Sequence, residues 1–224
     1  MVRKILQWMF LIIVVIPIGY VILLRWVDPP LTWTQLGSLF GGHGLHRDYV
    51  YLSEVSPNAR LAVMATEDQL FPDHAGFDIK SIEQVLEYNK RKPGRVRGAS
   101  TISQQVAKNI FLWQGRSWIR KGLEVWFTVL IEAVWGKRRI LEVYLNVVEM
   151  GTGVFGIEAA ARHHFKKSAR ALTRREAAMI ASCLPNPKRY TLHPMSRAVK
   201  RRYPWALQQM SNLDGDPDIQ GLLK

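Results

Sequence analysis

From Ile5 to Leu24 nearly every position is apolar and none is charged, a run of about 20 residues, the length a helix needs to cross a bilayer core. Gln7, Pro17 and Gly19 interrupt it but are tolerated in a membrane helix. Arg3 and Lys4 precede the run, Arg25 and Asp28 follow it, and Trp8 and Trp26 stand near its two ends, where aromatic residues favour the membrane–water interface. A cleaved leader would have a shorter apolar stretch and a small-x-small cleavage site, which Leu24-Arg25-Trp26 does not offer. Residues 1–27 are therefore expected to form a transmembrane anchor, and 28 to about 50, with Pro29-Pro30 and Gly41-Gly42, a juxtamembrane connector.

From Ser56 the period is helical almost throughout. Ser56-Pro57 reads as an N-cap followed by proline at the first helical position, opening a helix that reaches Glu67-Asp68. A loop over Phe71–Phe77 follows, and Asp78 caps a helix predicted to end near Lys92-Pro93-Gly94. Thr101-Ile102-Ser103-Gln104 and Thr173-Arg174-Arg175-Glu176 fit capping boxes. A long helix is expected from about Ser117 to Trp135, another from Arg138 to Asn146, and few segments alternate with period two. The fold class is mainly α, in one domain beyond the anchor.

Charge changes the picture. The 224 residues carry a formal +13, which calls for an anionic partner: nucleic acid, an anionic membrane surface or a phosphorylated substrate. The basic residues before the apolar run favour a cytoplasmic N-terminus, placing the rest of the chain outside, away from nucleic acid and close to lipid headgroups. Cys183 is the single cysteine, so neither an intrachain disulfide nor a cysteine zinc site is available. It reads as a small buried apolar residue.

Three constellations could carry chemistry. On the long helix, Arg120, Glu124, Thr128 and Glu132 recur every four residues amid an otherwise apolar surface. This stripe is either a packed seam closed by an Arg120–Glu124 ion pair or one wall of a cleft. Glu67, at a helix end beside a loop, is either half of an exposed acidic pair with Asp68 or a general base with a raised pKa. Glu67, Asp68 and His74 lack a standard metal-ligand spacing. Lys108, Arg116, Arg120 and Lys121 form either a solvated basic face or a set of donors converging on a diphosphate.

These residues resemble the glycosyltransferase domain of class A penicillin-binding proteins, and most closely the monofunctional peptidoglycan glycosyltransferases. Five blocks occur in order: Glu67-Asp68-Gln69-Leu70-Phe71-Pro72-Asp73-His74-Ala75-Gly76, Gly98-Ala99-Ser100-Thr101-Ile102-Ser103-Gln104-Gln105 with Lys108-Asn109, Arg120-Lys121-Gly122-Leu123-Glu124, Lys137 to Asn146, and Gly156 to Pro187. The resemblance covers about 51–190; Ala99 stands where glycine is common and Phe165 where tyrosine is. Residues 191–224 are expected to be a basic tail, too short for a transpeptidase domain.

The resemblance implies a lysozyme-like helical domain with a smaller membrane-dipping lobe. It further implies lipid II and the growing glycan strand as substrates, and membrane lipids and cell-wall synthesis proteins as partners. Glu67 would be the general base, Lys108, Arg116, Arg120 and Lys121 would hold the diphosphate, and Glu124 would help position it. Ser100, Thr101, Gln104 and Gln105 would shape the cleft, while Glu142, Tyr144 and Asn146 would be supports. Ile110-Phe111-Leu112-Trp113 is either a lining for the lipid tail or plain core. No cofactor is required by this reading, although a divalent cation such as Mg or Mn could assist. A glycan-cleaving enzyme of lysozyme-like fold and a non-catalytic cell-wall scaffold are the competing expectations.

Overall fold

The structure, a computed structural model, describes residues 2–92, 98–115 and 117–224. Helix α1 (Val2–Phe10), a π-helical turn (Leu11–Val15) and α2 (Ile16–Leu23) run on without a break, so Arg3–Leu23 is one 21-residue apolar helix. At about 1.5 Å per residue this is the ~30 Å of a bilayer core. Trp8, Ile12, Ile13 and Ile16 on it are exposed, which suits contact with lipid. Its lower end is tied to the rest of the chain, because the last carbonyls of a helix need outside donors. Trp135 Nε1 donates to the Val21 carbonyl at 2.8 Å, Arg139 donates to those of Leu24 (3.0 Å) and Val27 (2.8 Å), and Arg25 donates to the Val134 carbonyl at 2.8 Å.

The segment expected as a connector is instead built into the domain. Thr32 and Gln35 form a capping box that starts α3 (Trp33–Phe40), and strand β1 (His46–Arg47) follows. A single 3-10 turn (Leu52–Glu54) leads to α4 (Pro57–Glu67), capped by Ser56 as its sequence predicts. Next come α5 (Ile79–Arg91), α6 (Ile102–Phe111), α7 (Trp118–Val134) and α8 (Lys137–Val147). The expected end of α5 at Pro93-Gly94 lies outside the described residues. Strands β2 (Glu149–Gly151) and β3 (Val154–Phe155) precede α9 (Ile157–Phe165), α10 (Arg174–Ala181), α11 (Arg197–Leu213) and α12 (Pro217–Leu223). The strands form one small sheet in the order β1-β3-β2, with β1 parallel and β2 antiparallel to β3. Gly153 lets β1 come this close: its φ is +69° and a Cβ there would stand 2.1 Å from the His43 carbonyl oxygen.

Two packed groups meet at the C-terminal end of α4. In the first, α4 is buried from Ala59 to Ala65 and enclosed by α10, α11 and α12. The segment 191–224, expected as a basic tail, is thus packed into the domain. Val199, Ala206 and Met210 on α11, and Ile219 and Leu222 on α12, are core residues, and Arg60 inside the bundle donates to the Leu222 carbonyl at 3.1 Å. Burying Val199, Met210, Ile219 and Leu222 at about 1.5–3 kcal/mol each fixes this segment in the bundle and leaves its basic face in solvent. In the second group α6 packs on α3, α7 and α8. Helix α7 turns Phe127 and Ile131 inward but leaves Trp118, Ile119, Val125, Trp126 and Val129 exposed. It lies alongside α2, with Phe127 and Phe111 across an apolar groove from Ile16, Pro17 and Tyr20.

Candidate active site

Glu67 is the last residue of α4, and its side chain is only 14% exposed. The exposed acidic pair is therefore not what forms, since Asp68 beside it is buried as well. Gln105 Nε2 donates to Glu67 Oε2 at 3.0 Å, and Gln105 Oε1 in turn accepts from Tyr144 Oη at 3.3 Å. Arg202 of α11 places a guanidinium nitrogen 3.7 Å from Glu67 Oε1. Burial pushes the Glu67 pKa up, opposed by the Gln105 hydrogen bond and then by the Arg202 charge. Burial also holds the Tyr144 phenol protonated, well above its usual range, so it serves as a donor to Gln105.

Asp68 organises the loop that follows. Its Oδ1 meets His74 Nε2 at 2.9 Å, and its Oδ2 accepts the Ile102 N–H at 2.9 Å. The Gly76 N–H donates to His74 Nδ1 at 3.1 Å, so in the neutral ring Nε2 carries the proton and donates to Asp68. Thr101 caps α6 by accepting the Gln104 N–H at 3.2 Å, and donates its hydroxyl to the Gly76 carbonyl at 2.7 Å. The Gln104 side chain closes the capping box on the Thr101 N–H at 3.0 Å. Backbone donors at the start of α6 are thus taken up by Asp68 and Thr101, and Gln104 is buried in the cap. Ser100 is exposed and, with Thr101, Glu67 and Arg202, lines a cleft of about 630 Å³.

One helical turn beyond Gln105 lies Lys108, whose pKa is lowered by burial, with the nearby Glu124 carboxylate opposing that shift. Glu124 is 3% exposed and doubly paired, with Arg120 at 3.0 Å and Lys121 at 2.5 Å. Two cations thus pair with one carboxylate while Lys108 stands near it, and Arg120 Nε is buried without a partner among the described residues. Such a surplus of cationic donors suits an anion. Lys108 feels both Glu67 and Glu124, so the Glu67 carboxylate and the cationic group are neighbours. The stripe on α7 divides: Arg120 and Glu124 belong to this site, while Thr128 is buried on the Glu124 carbonyl at 2.7 Å and Glu132 pairs with Lys137 at 2.7 Å. Arg116 lies outside the described residues. Among the described residues no group of three or more His, Cys, Asp or Glu comes together as metal ligands.

Arg202 is the site residue that the sequence reading missed. Its only signal was the cationic run Lys200-Arg201-Arg202, which is equally the mark of a solvated face.

A family model described as transglycosylase matches residues 34–211, from α3 to α11. Over 175 residues the chain is 57% identical to the biosynthetic peptidoglycan transglycosylases of Escherichia coli O1:K1 / APEC and of Escherichia coli strain SMS-3-5 / SECEC, covering 78% of this chain and 72% of each relative. The protein of the same description from Shigella boydii serotype 4 is 56% identical over an equal span. The match takes in Glu67 and the cations around Glu124, and this chain belongs to the transglycosylase family.

Proposed function

We propose that the protein is a peptidoglycan glycosyltransferase that polymerises lipid II into β-1,4-linked glycan strands and releases undecaprenyl diphosphate. The observation that carries this reading is the buried Glu67 carboxylate opening on a cleft beside the Lys108, Arg120 and Lys121 cations. Glu67 accepts the proton of the acceptor sugar 4-hydroxyl. The freed oxygen pair attacks C1 of the growing strand with inversion, and the C1–O bond to diphosphate breaks, its electron pair leaving with the diphosphate. A base with a pKa raised toward neutrality suits the first event; fixed cations suit the second, because they meet charge that develops on the leaving group.

Lys108, Arg120 and Lys121 hold the diphosphate, together with Arg116, and Glu124 keeps two of those cations in place. Ser100 and Thr101 line the sugar cleft, and Gln105 orients the base. So written, the chemistry needs no cofactor. Glycan cleavage has no diphosphate to hold, and the cationic cluster counts against it.

The single-pass anchor suits a lipid-borne substrate. With the N-terminus in the cytoplasm, the domain faces outward, held at the membrane by the contacts at Val21, Leu24 and Val27. The exposed Trp118, Ile119, Val125, Trp126 and Val129 lie on the helix that runs beside the anchor, so this lobe dips into the lipid interface. The test is incubation of the full chain in detergent with labelled lipid II, beside Glu67→Gln. Muramidase-sensitive polymer from the parent alone is expected. No polymer from the parent, with fragments released from preformed glycan instead, overturns the reading in favour of a lytic enzyme.

A further inference from the structure

A carboxylate at the end of α4 is in an unfavourable place. The C-terminal end of a helix carries partial negative charge, and Glu67 there is also largely withdrawn from water. The groups that face it are few. Gln105 and Lys108 come from α6, Tyr144 from α8, Asp68 is its neighbour in the chain, and Arg202 comes from α11. Of the two cations, Arg202 has the larger influence on Glu67.

Arg202 is itself held on three sides. Its guanidinium donates to the Thr66 carbonyl at 3.3 Å, one of the free acceptors of the last turn of α4. It lies over the Trp205 ring at 4.9 Å, one turn along α11. Its third contact is Glu67 Oε1 at 3.7 Å. That separation is an ion pair without a direct hydrogen bond, so Oε1 retains lone pairs for a substrate proton, while Oε2 is occupied by Gln105.

We propose that Arg202 is a positioning residue of the transferase reaction: from the C-terminal helix it keeps Glu67 ionised and leaves Oε1 free toward the cleft. The inference rests on the reading of Glu67 as the base. It gives the segment after the five sequence blocks a role in the chemistry, beyond packing or contact with lipid headgroups.

The test compares lipid II polymerisation by the full chain in detergent with that by Arg202→Met and Arg202→Lys, from mildly acidic to mildly alkaline pH. Without the guanidinium, the protonated form of Glu67 gains, so the acid limb of the kcat profile moves to higher pH. The loss in Arg202→Met is then greatest at the acidic end and shrinks as pH rises. Arg202→Lys keeps a charge with a looser aim, and its limb lies between the two. Thermal unfolding of each variant reports folding separately; if Arg202→Met does not fold, the limb of Arg202→Lys must still lie above the parent's. An equal fractional loss at every pH, or a change in KM alone, overturns the proposal. A parent without polymerising activity would instead remove the functional reading on which it rests.

Discussion

Glu67→Gln is expected to abolish polymerisation and, at neutral pH, to stabilise the fold. The amide still offers an oxygen to Gln105 Nε2, so the 3.0 Å hydrogen bond survives. Arg202 loses its counter-charge, but its side chain is 30% exposed and keeps the Thr66 carbonyl and the Trp205 face. A pair of that kind is worth about 0–1 kcal/mol. Against this, the variant no longer holds a charge in a site where burial disfavours one, a gain of the size that single stabilising substitutions commonly give, about 0.5–2 kcal/mol. The balance is a gain of about 1 kcal/mol, or roughly 2–4 °C in Tm for a chain of this size.

The pH dependence carries the sign. The pKa of Glu67 is raised in the folded state, so the stability it contributes is fully present below its unfolded pKa and is lost as pH rises through the folded value. The advantage of the variant should therefore fade as the solution is acidified and Glu67 becomes protonated. Thermal unfolding in detergent over a pH series, with polymer formation measured on the same preparations, is the assay. A variant less stable than the parent at neutral pH, or a difference that ignores pH, would mean that the ion pair with Arg202 outweighs the cost of burial.

Three further outcomes are expected. Trp135→Phe leaves the Val21 carbonyl without its donor at the junction of anchor and domain; a loss of about 1–3 kcal/mol should appear in thermal unfolding. Gly76→Ala puts a Cβ at φ +86°, 2.7 Å from Thr128 Cγ2, in the loop that Thr101 and His74 hold. It should cost about 1–3 kcal/mol and slow polymerisation, read from unfolding and from lipid II turnover. Cys183 is buried and its thiol is pushed up to about 12; the folded protein should resist alkylation at mildly alkaline pH and label promptly in denaturant, as mass spectrometry would record.

Features whose partners are close in sequence could be read from it. The Ser56 cap, the Asp78 cap of α5 and the capping boxes at Thr101 and Thr173 stand where their residues predict, because each is closed by hydrogen bonds spanning two or three positions. The 21-residue apolar helix is equally local, a matter of length and the absence of charge. Two-residue strands are too short to show any period, so β1 and β3 were invisible. Their pairing draws residues 46–47 into the domain and removes the boundary that Pro29-Pro30 and Gly41-Gly42 suggested. The Thr32–Gln35 capping box was legible and was overlooked.

At the site, the sequence by itself determined which residue types were present and in what order: a carboxylate closing one helix, cations on two others, and a second carboxylate one turn from Arg120. Tertiary structure decided what those residues became. Glu67 and Asp68 are adjacent in the chain, yet one carboxylate opens on the cleft while the other is spent on His74 and the start of α6. Thr128 and Glu132 share a stripe with Arg120 and Glu124 but are used up in a backbone hydrogen bond and an ion pair with Lys137. Arg202 comes to Glu67 only because α11 packs on α4 through Val199, Ala206 and Met210. The environment that raises the Glu67 pKa is the sum of water excluded and charges brought near by helices distant in sequence. Such a sum is a property of three-dimensional packing, and no local spacing of residue types encodes it.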